Sequence, residues 1–144
     1  GGRIVSTSLQ HMFSIQPNYR DRIREIILIA PDIDTDQFSD FISTEISPLT
    51  LYTSENDPSL AVSKQFNTHR LAGDSAEHLL ITSKVETINT GTTNLSLNGH
   101  SNLADTSSIL GDIWDLVINN SRAVSRNKLE IRYSPEGTYW EYPR

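Results

Sequence analysis

Ile26-Ile27-Leu28-Ile29-Ala30-Pro31-Asp32-Ile33-Asp34 is the stretch on which the fold turns. Its first five residues are continuous, apolar and mostly β-branched, the pattern of a strand covered on both faces in a parallel sheet. Pro31 has no N–H for the ladder, and the aspartates beside it favour a turn. Helical patterns flank the strand. Upstream, Ile4, Val5, Leu9, Met12 and Phe13 recur at three- and four-residue spacings, which predicts a helix over Arg3 to Phe13 with one buried face. Downstream, Asp36 to Ile46 reads as a short helix with Phe38, Phe41, Ile42 and Ile46 inward. Asp34 or Thr35 is its N-cap, accepting from orphan amides, and Pro48 ends it.

Further out the alternation continues. Leu49 to Thr53 reads as a second strand, followed by Ser54-Glu55-Asn56-Asp57-Pro58 and a helix over Ser59 to Phe66. A polar stretch with Gly73 leads to a third strand, Val85 to Asn89. Thr90 to Gly99 is a Thr/Asn/Gly-rich loop ending at His100. Thr106 to Asn120 predicts a long helix, with Ile109, Leu110, Ile113, Leu116 and Val117 on one stripe and Asp112 and Asp115 outside it. Leu129 to Tyr133 and Thr138 to Tyr142 flank Ser134-Pro135-Glu136-Gly137 as a β-hairpin. Strands alternating with helices imply right-handed crossovers and a parallel sheet in a three-layer α/β/α architecture. Residues 1–120 read as one unit and 121–144 as a tail carrying the hairpin.

Composition narrows the function classes. The chain has 144 residues, a net charge of -6 and no cysteine, with a mean hydropathy of -0.39 and a pI near 5.1. The longest apolar run, Ile26 to Ala30, is far short of the roughly 20 residues a membrane span needs. No basic segment precedes an apolar run at the start, so no signal peptide is read. The chain opens on Gly1-Gly2 rather than Met, which would suit a processed or truncated piece. Lack of cysteine excludes disulfides, thiolate zinc sites and a cysteine nucleophile, and suits the cytoplasm. A nucleic-acid groove needs clustered Lys and Arg, and the 12 basic residues here are scattered. The group Arg122, Arg126 and Lys128 reads as a solvated helix end.

In open α/β sheets ligands bind beyond the carboxyl ends of the strands. The loops leaving the three strands there carry Asp32 and Asp34, then Glu55 and Asp57, then His100. A histidine poised by a carboxylate is the general base of a nucleophilic hydrolase. Each residue also has a plainer reading: Asp57 as a helix cap or Asx-turn before Pro58, His100 as a surface-loop histidine, Asp32 and Asp34 as turn and cap residues. The two aspartates after the first strand stand in reserve as the acid. His11, His69 and His78 have no metal-ligand spacing, so neither a metal nor a cofactor is expected. Trp114 and Trp140 read as packing residues.

The stretch from Ile26 to Asp34 with Phe38, Leu51-Tyr52-Thr53-Ser54-Glu55-Asn56-Asp57 with Leu60-Ala61-Val62-Ser63, Arg70-Leu71-Ala72-Gly73-Asp74, and Gly99-His100-Ser101 before a helix together resemble an uncharacterised family of α/β-hydrolases. The resemblance spans about Gly1 to Ile118 and implies the C-terminal portion of that fold. In that superfamily the triad runs Ser, then Asp or Glu, then His. The resemblance therefore makes Asp57 the acid and His100 the base. It also requires a Gly-x-Ser-x-Gly elbow, which none of these 144 residues forms. Gly1 would be the motif's last glycine, with the serine two residues upstream of it.

The expectation is thus part of a serine hydrolase for a small ester or related acyl substrate, supplying the acid and the histidine without the nucleophile. The alternative is a non-catalytic α/β interaction or binding domain. In either case the first strand would expose an apolar edge, inviting self-association or a partner chain.

Overall fold

A computed structural model of the chain describes residues 2–44, 48–66, 69–92 and 103–143. Helix α1 (Gly2–Ile15) leads through a 3-10 segment (Pro17–Arg22) to β1 (Ile26–Ile29). Then follow α2 (Thr35–Ser43), β2 (Leu49–Thr53), α3 (Pro58–Phe66), β3 (Val85–Asn89) and α4 (Leu103–Asn119). A 3-10 turn (Ala123–Ser125) precedes β4 (Glu130–Ser134) and β5 (Gly137–Glu141). The five strands form one sheet in the order β1-β2-β3-β5-β4. β1, β2, β3 and β5 pair in parallel, and β4 runs antiparallel to β5 as the outer arm of the hairpin. Among the described residues no helix is long and apolar enough to cross a membrane.

The period of two along each strand sorts the core into two clusters, one on each face of the sheet. Ile26 and Leu28 of β1, Leu49 and Leu51 of β2 and Val85 of β3 pack with Phe38, Phe41 and Ile42 of α2, and Leu9 of α1 packs against them. Tyr52 of β2 and Ile88 of β3 meet Ile109 of α4, with Ile27, Ile29, Ile113 and Trp140 packed around them. The register Ile26↔Leu49 and Leu28↔Leu51 follows from this, because a slip of one residue would swap the faces. Each fully buried Leu, Ile or Phe contributes about 1.5–3 kcal/mol through burial.

Three expectations are corrected. In α1, Phe13 is buried, but Ile4 is 72% exposed and Val5 also lies outward. The buried stripe of α4 runs through Ile109, Asp112 and Leu116, while Leu110 and Val117 are exposed. Asp112 therefore faces the core, not solvent. The third correction explains the second: Arg126, read as part of a solvated helix end, is only 3% exposed, and its Nη1 donates to Asp112 Oδ2 at 2.6 Å. Ile46, expected to face inward, lies outside the described residues.

That pair anchors a network that joins α4 to β2 and β3 and reaches Glu25 just before β1. Tyr52 Oη donates to Asp112 at 2.5 Å and accepts from Arg126 at 3.0 Å. Glu86 of β3 accepts from Arg126 Nη2 at 3.2 Å, from Arg122 Nε at 3.0 Å and from the Ala123 amide at 3.2 Å. Arg122 continues to Glu25 at 2.5 Å, and Glu25 accepts from the Thr50 hydroxyl at 2.9 Å. Burial raises the Asp112 carboxyl above the usual aspartate range, against the pull of the Tyr52 hydroxyl and the Arg126 guanidinium. Burial, reinforced by Asp112, also holds the Tyr52 and Tyr142 phenols above the tyrosine range.

Removing one partner strands the other charge in the core, so Arg126→Met should cost about 3–5 kcal/mol in urea unfolding. The double variant Asp112→Leu/Arg126→Met should recover part of that loss; a single-variant cost below about 1 kcal/mol would contradict the network. The phenols give a pH prediction. Their folded pKa values lie above the unfolded one, so the stability they confer is intact below about pH 10 and is lost as pH rises further. Absorbance at 295 nm should show Tyr52 and Tyr142 ionising only together with alkaline unfolding.

Candidate active site

Because β1, β2 and β3 are parallel, the loops that leave them emerge at one edge. After β1 the chain turns through Ala30, a non-glycine residue at φ 39, whose amide still donates to Tyr52 O at 2.9 Å. Such a left-handed residue persists only where its surroundings hold it. Gly73 is one of those surroundings. A Cβ built there would lie 2.4 Å from the Ala30 carbonyl carbon and from Pro31 N, so no other residue fits. Gly73 N donates to Pro31 O, Ala72 N to Ile33 O and Ser54 N to Gly73 O. The stretch from Leu71 to Asp74, which the sequence offered as part of a polar connection and of the family resemblance, thus stitches the loop after β1 to the loop after β2. Gly2 presses on the same corner, since a Cβ there would meet Pro31 Cβ at 2.7 Å.

Asp34 is the expected N-cap of α2, its Oδ1 accepting from the Asp36 and Gln37 amides. Asp57 does the same for α3. It is 6% exposed, and its Oδ1 accepts from Ser59 N at 2.8 Å and Leu60 N at 3.2 Å. The plainer reading of Asp57 as a helix cap is therefore realised, and both bonds fall on one oxygen. Asp32 differs: its Oδ1 is buried and has no hydrogen-bond partner among the described residues. Asp74, whose role the sequence did not disclose, is buried, accepts from Ala76 N through Oδ1 and pairs with Lys64 through Oδ2.

The loop after β3 is joined to its neighbour as tightly. Thr90 donates to Thr53 O through both its amide, at 3.0 Å, and its hydroxyl, at 2.8 Å. Glu55 N donates to Gly91 O at 2.8 Å. Gly91 adopts φ 60, a left-handed turn that glycine enters without strain. His100, the expected base, lies outside the described residues. A cleft of about 760 Å³ opens at this edge between Glu55, Asn89, Thr90, Ile109, Glu141 and Tyr142. Asp57 does not line it. Among the described residues no three His, Asp or Glu side chains come together as metal ligands.

The edge thus holds a buried carboxylate after β2, Asp57, in a position fixed by the start of α3, beside the partly buried Asp32 and Asp34 after β1. That arrangement suits orientation of a base and does not by itself break a bond. Gly73→Ala tests how tightly the corner is locked. The overlap with Ala30 and Pro31 should cost about 3 kcal/mol or more in urea unfolding, and a cost under about 1 kcal/mol would mean that the two loops part freely.

Comparison with known proteins adds one finding. The family model described as alpha/beta hydrolase of unknown function (DUF900) matches residues 1–109. No curated protein and no solved structure matches the chain.

Proposed function

We propose that this chain, which belongs to that family of α/β-hydrolases of unknown function, supplies the acid and the histidine of a serine hydrolase acting on a small ester or related acyl substrate. Asp57 is the acid and His100 the base, carried by residues 1–120 as the C-terminal portion of a three-layer α/β/α hydrolase fold with 121–144 as its tail. A serine outside these 144 residues attacks the acyl carbonyl. His100 takes the serine proton and returns it to the leaving group, and Asp57 fixes the imidazole tautomer and stabilises the imidazolium. Backbone amides beside the nucleophile hold the oxyanion.

The observation that carries this reading is the placement of Asp57. It is a buried carboxylate just past the carboxyl end of β2, with Oδ1 bound to the α3 amides. A cap of that kind holds a carboxylate in one position, as an orienting acid requires. Two further observations support it. Gly2 begins α1 against Pro31, at the edge where a helix following a nucleophile would start. β1 pairs with β2 alone among the described strands, which leaves its other edge for a strand bearing the serine or for a second chain.

A second reading, a non-catalytic interaction domain, draws on the outward face of α4. There Trp114 is 62% exposed beside Leu110, Val117 and Ile118, which are also exposed.

The test is hydrolysis of a short-chain aryl ester by a chain extended upstream to include the serine. Activity should appear only with the extension, and His100→Ala and Asp57→Asn should each lower kcat by about 1,000-fold or more. Asp32→Asn should change kcat little; a loss at Asp32 with Asp57→Asn unaffected would move the acid to the loop after β1. An active extended chain indifferent to His100→Ala, or an inactive one, overturns the hydrolase reading in favour of the interaction domain.

A further inference from the structure

On the flank of α2 lies a groove of about 480 Å³ that shares no lining residue with the cleft at the strand ends. Its apolar lining comes from Ile42, Leu80 and Ile81, and two cationic residues, Arg70 and Lys84, border it together with His78. The chain carries 18 acidic residues against 12 basic ones, so a cation here has abundant carboxylates to pair with. Glu136 also lines the groove, its carboxylate held by the Ser134 hydroxyl. Arg70 and Lys84 form no ion pair among the described residues, unlike Lys64, Arg122, Arg126 and Arg132.

The walls are held before any ligand arrives. Thr35 N donates to Arg70 O at 3.0 Å, and Leu71 bridges to Asp34, which fixes the backbone of Arg70 to the start of α2. The Thr87 hydroxyl donates to Leu80 O at 2.8 Å, tying the opposite wall to β3. Lys84 N donates to Thr82 Oγ1 at 3.4 Å and is followed directly by β3. A pre-ordered wall lowers the entropy cost of binding.

We propose that this groove binds an organic monoanion with a short apolar body, a medium-chain carboxylate in size and chemistry. Arg70 and Lys84 take the carboxylate, Arg70 through the paired N–H groups that suit its two oxygens. Ile42, Leu80 and Ile81 cover the tail, and the volume falls within the range of small-molecule sites. An inorganic anion would leave that apolar lining unused. The site stands independently of the hydrolase reading.

The test is titration calorimetry of the full chain with octanoate, octanol and inorganic phosphate. Octanoate should bind at least about fivefold more tightly than either of the others, the size of effect one partly exposed charge contact gives. Arg70→Gln and Lys84→Gln should each weaken octanoate about three- to fivefold, and the double variant should bind octanoate no better than octanol. Both side chains are exposed, so circular dichroism should show the fold retained, and Arg3→Gln on α1 should leave affinity unchanged. Equal affinity for octanoate and octanol, phosphate binding as tight as octanoate, or an unaltered double variant overturns the proposal. Ester hydrolysis plays no part in these readouts, so failure here leaves the triad untouched and failure of the triad leaves the groove standing.

Discussion

The guanidinium of Arg126 is buried between Tyr52, Glu86 and Asp112, and a charge in that position must be met from several sides at once. Tyr52 belongs to β2, Glu86 to β3 and Asp112 to α4, so one side chain dictates how the last long helix lies over two adjacent strands. Arg122 extends the constraint to Glu25, immediately before β1. The segment 122–126 is thereby drawn under the sheet's amino-terminal half, and the chain leaves it towards β4 and β5, where β5 pairs with β3. Apolar packing alone tolerates small rotations of a helix. A directional network of this kind does not, because each rotation breaks a bond that burial prevents water from replacing.

The same rigidity reaches the candidate site through the strand that holds Tyr52. Thr53 follows it and accepts both bonds from Thr90, and Ser54 is held by Gly73. By the time the chain reaches Asp57 its direction is fixed by β2 on one side and by the start of α3 on the other. Helix initiation turns one carboxylate oxygen to the orphan amides of α3, and the proposed role would need the other to face a histidine. Only one oxygen is taken by the cap, so the structural and catalytic readings of Asp57 are compatible.

How much of this the sequence disclosed depends on the range of the interactions involved. β1, β2 and β3 were legible with their bounds nearly right, since an apolar run closed by Pro31 or by turn residues is a local signal. The Asp34 cap was legible for the same reason: it acts on amides two and three residues away. The α4 stripe was misread because Asp112 is buried by a partner fourteen residues on, and periodicity counts any aspartate as polar surface. Arg122 and Arg126 were misread with it. Gly73 looked like loop composition, and its role lies in backbone contacts that leave no side-chain pattern. Asp57 was singled out by its place after a strand and by the family resemblance; His100 shares that logic and lies outside the described residues.

The faces of this sheet are not equally finished. Leu28 and Leu51 are sealed by α2, whereas Ile27 and Ile29 of β1 remain only partly covered. α4 is apolar on two sides, burying Ile109 and Leu116 while Leu110, Trp114, Val117 and Ile118 face out. A helix apolar all round is stable where both sides are covered, and a parallel strand with β-branched residues on both faces belongs inside a sheet, not at its margin. At the other margin β4 carries Glu130 and Arg132 in ion pairs, the kind of charged edge that discourages further pairing. The asymmetry agrees with the chemistry argued for Asp57. On the proposed reading the serine would be carried by a strand, and among the described strands the edge of β1 bears no charged side chain.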